Sequence, residues 1–197
     1  MGSFLLCYTN VYMRLITYQS KEAVDILLST GELKITRSED MKTYHSFDNW
    51  GANTFKEAYE YIKDRMRKLL NNEDLDEDII SPIWGWYKYE SIRKLNKDNP
   101  DMYRIELEID DDKVLLSDFY YYENFAIAGL DCLSIFSKKR KEEIYASGTE
   151  AIFKEYDRMI SPYFVKRGKY TQATFWKLKL EYVKTIKVVK GGKIIYG

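Results

Sequence analysis

Two periods of hydrophobic and polar residues run along this chain. From Val11 to Tyr18 the residues are apolar and β-branched, which predicts a strand. Ser20 then stands as a helix cap, Ala23, Val24, Leu27 and Leu28 form one apolar face, and Gly31 sits where a left-handed C-cap belongs. Leu33 to Thr36 reads as a short second strand, and residues 37–52 as an ordered loop with scattered aromatics. Between Asn53 and Leu70 the positions Phe55, Ala58, Tyr59, Ile62, Met66 and Leu69 keep the helical period. Thr54 and Glu57 supply a capping box. The acidic run at 73–78 reads as a solvated linker. Pro82 opens an aromatic strand over 83–89, and Asn99-Pro100 marks a turn. Met102 to Ile109 alternates, with Tyr103, Ile105, Leu107 and Ile109 on one face and Arg104, Glu106 and Glu108 on the other.

Val114 to Leu116 predicts another strand, followed by a helix capped by Ser117 that ends near Gly129. Residues 134–146 and 149–160 read as two further helices, the second capped by Ser147 with Glu150 and stopped by Pro162. The C-terminal third is strand-like. There Thr174, Trp176, Leu178, Leu180 and Tyr182 share one face, and Gly191-Gly192 turns a hairpin. Strands are interrupted by helices without a regular βαβ rhythm. The expected class is therefore α+β, with mixed, mostly antiparallel sheets and about five helices. Its 197 residues suit one domain over 13–197, with residues 1–12 as an extension and Met13 a candidate start.

Composition narrows the chemistry. Lys+Arg and Asp+Glu are both 31, so no global field draws nucleic acid or a membrane. From Ser161 onward, however, nine Lys/Arg face one acid, Glu181. Edge-strand lysines or a phosphate-binding face would each produce that pattern. Aromatics reach 16%, which fits half-buried packing or a surface that stacks sugars, bases or nucleotides. Cys7, Cys132 and His45 are too few for a zinc site, and the two thiols fit a reduced, cytoplasmic protein. The N-terminus lacks a basic signal region, and no stretch approaches the ~20 apolar residues of a membrane span. No GxGxxG follows a strand and no Walker loop occurs. Asp110 to Asp112 reads as a turn; a magnesium site there needs a convergent partner. Ser134 to Lys141 ends in four consecutive cations, a solvated face or a phosphate contact.

Four blocks carry a family resemblance. They are Leu15-Ile16-Thr17-Tyr18-Gln19-Ser20-Lys21-Glu22-Ala23-Val24 with Gly31-Glu32-Leu33, then Pro82 to Tyr87, Ile105 to Phe119, and Gln172 to Val183. Together they resemble the bacterial family called domain of unknown function 3841. After Phe119 the chain departs from it, with Tyr120-Tyr121-Tyr122 where the family pattern has a Trp-His pair.

A more distant similarity is to the ADP-ribosyltransferase-like fold. It rests on the opening strand, helix and Gly-x-Leu, and on the late Trp-x-Leu-x-Leu-x-x-Val. That resemblance implies NAD as co-substrate in a cleft between two small antiparallel sheets, in a toxin, phage or defence protein. It implies Thr17 and Gln172 as catalytic residues, with Tyr44, Trp50 or Trp84 as the ring platform for the cofactor. Loss of nicotinamide would pass through an oxocarbenium-like state. Thr17 stands where many members place His or Arg, and Gln172 carries no charge. The second reading is a non-catalytic module that binds a nucleotide, RNA or a protein through its aromatics and Lys177, Lys179 and Lys184.

Overall fold

A computed structural model describes residues 12–36, 53–88, 102–133, 136–167, 170–191 and 193–195. Strand β1 (Tyr12–Gln19) leads into α1 (Lys21–Thr30), whose first turn is capped by Ser20 Oγ accepting from Ala23 N at 3.2 Å. Gly31 closes the helix at φ 84° and donates its N–H to the Leu27 carbonyl, a conformation that needs no Cβ. Ala23, Val24 and Leu27 are buried, whereas Leu28 is exposed. The short β2 (Glu32–Leu33) follows, and Ile35 bridges to Ser81. Helix α2 (Asn53–Leu69) then leads to β3 (Ile83–Lys88) and β4 (Met102–Asp110). A 3₁₀ turn at Asp111–Lys113 joins β4 to β5 (Leu115–Asp118). Helices α3 (Phe119–Ala128), α4 (Lys138–Ala146), α5 (Thr149–Tyr156) and α6 (Pro162–Arg167) come next. The chain ends in β6 (Thr171–Phe175), β7 (Leu178–Lys179), β8 (Val183–Lys190) and β9 (Lys193–Ile195).

Seven strands form one sheet in the order β5-β6-β3-β1-β4-β8-β9, while β2 and β7 form a separate pair. Every strand pairing among the described residues is antiparallel. The fold is α+β, as the irregular alternation of elements predicts. One face of the large sheet presents Leu15, Ile83, Ile105, Leu107, Ile109, Ala173 and Phe175, which pack with α1, Leu33 and Leu178. The opposite face contributes Leu115 and Trp84 to a second core built by α2, α3, α4 and α5. At the junction, an added Cβ on Gly85 would lie 3.1 Å from the Ile16 carbonyl oxygen, so β3 needs glycine there to approach β1.

Several local expectations give way. The α3 cap is Asp118, whose carboxylate accepts from Tyr121 N at 3.0 Å; Ser117 lies inside β5 instead. Helix α5 starts from Gly148 with no side-chain cap bond, and Ser147 Oγ donates back to the Glu143 carbonyl. Pro162 does end the preceding turn, but it also opens α6, where its fixed φ suits the first helical position. The late strand is broken: Trp176 joins the helical core, whereas Leu178 joins the core on the other face. Residues 53–55 enter no side-chain description, so the Thr54 half of the capping box lies outside the described contacts, as does the Asn99-Pro100 turn.

The acidic run is not a solvated linker. Asn72, Asp74 and Asp76 turn alternate side chains inward. Asn72 Oδ1 accepts from Trp176 Nε1 at 2.9 Å. Asp74, 5% exposed, accepts from Tyr182 Oη at 2.7 Å and pairs with Lys179 at 2.6 Å. Asp76 takes Lys34 and Lys177, each at 2.8 Å. This strap fastens the β2–β7 pair to the rest of the molecule. Burial pushes the Asp74 carboxyl up, but Lys179, Tyr182 and Lys113 outweigh it and hold it below its ordinary value of 3.8. Bonds from Lys177 and Lys34 hold Asp76 below the same value.

Both carboxylates are depressed in the folded state, so their contribution is full above about pH 4 and fades as pH falls further. Asp74→Asn is expected to lower stability by about 1–3 kcal/mol at pH 7, because Lys179 loses its charged partner. In urea melts that deficit should shrink below about pH 4. A deficit that stays constant down to pH 2.5 would show that the carboxylate charge is not what holds the strap.

Candidate functional site

Strand register decides which candidate residues meet. Ile16 pairs with Trp86, and Trp86 pairs with Gln172, which in turn pairs with Ser117. Directly paired residues share a face of the sheet, and neighbours along a strand do not. Ser117, Gln172, Trp86 and Ile16 therefore form a row on the helix-covered face. Thr17 lies on the other face with Leu15.

Gln172 is 7% exposed and Ser117 is fully buried. Ser117 Oγ donates to Gln172 Oε1 at 3.4 Å. No hydrogen-bond partner meets Gln172 Nε2 among the described residues. Beside this amide stand half-buried rings. The Trp86 and Phe119 centroids are 5.3 Å apart at 61°, and Phe119 meets Tyr170 edge-on at 6.5 Å. Tyr120, 47% exposed, closes on Tyr170 at 5.4 Å. Local chemistry places these rings. The Asp118 cap starts α3 at the end of β5, and Phe119 N donates to the Tyr170 carbonyl at 3.0 Å. An irregularity in the β3–β6 register between Trp86 and Lys88 lies at the same end, as bulges often do beside sites.

The hydroxyl of Thr17 is already engaged. Fully buried, it donates to the Trp84 carbonyl at 2.8 Å and accepts from Gln19 Nε2 at 2.7 Å. Trp84 shares the Gln172 face, one row away, where its ring packs between Tyr122 at 4.9 Å and Tyr59 at 5.9 Å. The structure thus brings Gln172 close to Trp86 and leaves Thr17 across the sheet. Tyr44 and Trp50 lie outside the described residues. The sequence alone does not single out Trp86, Ser117, Phe119 and Tyr170 as site residues. Its only signal was aromatic density around Gln172, because pairing across three strands is not written in any one of them.

The basic C-terminal positions are compensated. Lys177 pairs with Asp76 at 2.8 Å and with Glu32 at 3.4 Å. Lys179 holds Asp74, and Lys184 meets Glu108 at 2.9 Å. Among the described residues, no group of three or more His, Cys, Asp or Glu is arranged to hold a metal ion, and no helix is long and apolar enough to cross a membrane.

Against known proteins, a family model described as Domain of unknown function (DUF3841) matches residues 14–127. The chain belongs to this family. The DUF3841 segment runs from β1 through most of α3, so it includes Trp86, Ser117 and Phe119 but ends before Gln172. No curated protein and no solved structure matches the chain.

Thr17→Val should cost about 1–3 kcal/mol in a urea melt, since it leaves the buried Trp84 carbonyl and the Gln19 amide without their shared partner. A change within about 0.5 kcal/mol, the size of a neutral surface substitution, would mean that Thr17 does not brace β1 against β3.

Proposed function

We propose that this DUF3841 protein binds a nucleotide, with a planar ring seated against Trp86, Phe119, Tyr120 and Tyr170. The Gln172 amide, held by Ser117 through its oxygen and with no partner for its nitrogen among the described residues, carries this reading. Its N–H group can donate, and a ring carbonyl or ring nitrogen would accept from it. Aromatic walls with a few convergent polar groups are the usual lining of a small-ligand site. Such a module needs no catalysis. The ion-paired state of Lys177, Lys179 and Lys184 favours a small ligand over an RNA strand, whose binding draws chiefly on uncompensated cations.

A second reading is an ADP-ribosyltransferase-like enzyme that uses NAD as co-substrate and modifies a protein or nucleic-acid acceptor. The position of Gln172 on the late strand β6, buried beside aromatic rings, is what favours it. In that reading the amide would hold ribose hydroxyls while nicotinamide departs. A neutral amide offers the developing positive charge only a dipole, and Thr17 stands on the other face with its hydroxyl engaged. Gln172 alone would then carry the late-strand role.

NAD and the common ribonucleotides are the first probes. A ligand present at 100 times its dissociation constant adds about 2.7 kcal/mol, roughly 5–10 °C of melting temperature for a chain of this size. Trp86→Ala and Gln172→Ala should remove most of that shift. Cleavage of NAD by the wild type, lost in Gln172→Ala, would select the enzyme. No shift with any nucleotide at millimolar concentration would end the binding reading.

A further inference from the structure

Gln172 supplies the amide of the aromatic site, and Ser117 holds that amide in one orientation. Ser117 stands beside it on β5 and Trp86 on β3, on opposite sides of β6. Ser117 is fully buried, and its hydroxyl donates to Gln172 Oε1 at 3.4 Å. That bond draws the oxygen towards β5, away from the Trp86 side. An amide turned the other way would donate to Ser117 Oγ instead. It would leave the serine hydrogen without an acceptor among the described residues, and a buried donor left unmatched is costly.

The nitrogen is then the open atom of the amide. Gln172 Nε2 has no partner among the described residues, and it is not one of the unpartnered atoms sealed from solvent. It carries two hydrogens and accepts none. The neighbouring polar groups have bonds of their own. Thr174 Oγ1 donates to the Leu115 carbonyl at 3.3 Å, and Thr171 Oγ1 to the Val165 carbonyl at 3.2 Å. The buried Asp118 caps α3 by accepting from Tyr121 N. The edge of a ring on Trp86 therefore meets a donor at Gln172.

Resting on the nucleotide reading above, we infer that the site selects bases with an oxo group at that edge, and that Ser117 is the positioning residue behind the choice. Guanine and hypoxanthine present two adjacent acceptors, O6 and N7, and uracil presents O4. Each can take hydrogen bonds from Nε2. Adenine and cytosine place an amino group at the same point, where two donors would face each other. An amide that reads adenine uses its oxygen to accept from the amino group. Ser117 keeps that oxygen on the β5 side, so the amide has only its donor to offer.

Calorimetry with two pairs of nucleoside 5′-monophosphates tests this: inosine against adenosine, and uridine against cytidine. The members of each pair differ at the oxo or amino position. The wild type should bind the oxo member of at least one pair about tenfold more tightly, the weight of one hydrogen bond gained against one donor left unmatched. Ser117→Ala frees the amide to turn and should bring that ratio near one, whereas Ser117→Thr keeps the hydroxyl and should preserve it. Gln172→Glu, whose carboxylate only accepts, should reverse it. The wild-type ratios and Gln172→Glu decide the matter if Ser117→Ala does not fold. Equal affinity within both pairs, or a preference for the amino members, would overturn the inference and leave the ring site standing. A wild-type preference that survives unchanged in Ser117→Ala and Gln172→Glu would also overturn it, because the choice would then be made elsewhere. Binding of none of the four would overturn the inference, and refusal of NAD as well would end the ring reading.

Discussion

Strand β1 touches both halves of the sheet, and its register with its two neighbours decides on which side each candidate residue lies. On one flank it pairs with β4 over eight positions, from Tyr12 opposite Asp110 to Gln19 opposite Tyr103. On the other flank it meets β3 at Ile16 and Trp86, where Gly85 lets the two backbones close. A slip of one residue would send Leu15 and Thr17 to the helix side and Ile16 to the α1 side. The two cores are specified against that slip. Leu15, Ile105 and Leu107 are at most 1% exposed on one side, and Arg14, Glu106 and Glu108 would have to be buried in their place.

The strap and the small β2–β7 pair depend on the same register. Phe175 fills the α1 core while Trp176, the next residue, enters the helical core. That pair of anchors ends β6 and frees the chain to cross to β2. The crossing would leave Lys177, 9% exposed, without a charge partner if Asp76 and Glu32 were not there to meet it. Removing charges from water is costly, and close pairing offsets that cost. The acids between α2 and β3 therefore belong to the architecture of the C-terminal segment more than 90 residues later.

What the sequence makes legible is local. Ser20 and Gly31 bracket α1 by chemistry that acts within a turn, and the apolar period of α2 ends within one residue of its expected limit. The alternation of β4 appears as predicted, with Ile105, Leu107 and Ile109 buried. Long-range partners were not readable. The run from Glu73 to Asp78 looks like solvated charge until Lys34, Lys177 and Lys179 are placed beside it. Lys184 looks like part of a basic face until Glu108 lies across from it. The Trp-x-Leu alternation at Trp176 and Leu178 suggests one strand face, yet tertiary packing assigns the two side chains to opposite cores.

The same limit separates Thr17 from Gln172. Each is a polar residue in a strand, and their sequence settings suggest one site. The path from β1 through β3 to β6 fixes their relation. Gln172 shares its row with Trp86 and Ile16, while Thr17 shares its face with Leu15. A ligand that contacted both side chains would have to pass through the hydrogen-bonded sheet. Either residue can take part in chemistry only with what shares its face. For Thr17 that company is Gln19 and an aliphatic core, which suits a structural brace. For Gln172 it is Ser117 and two half-buried rings, those of Trp86 and Phe119. Along that row the amide comes before the indole of Trp86, so a ring seated on Trp86 turns its edge towards Gln172.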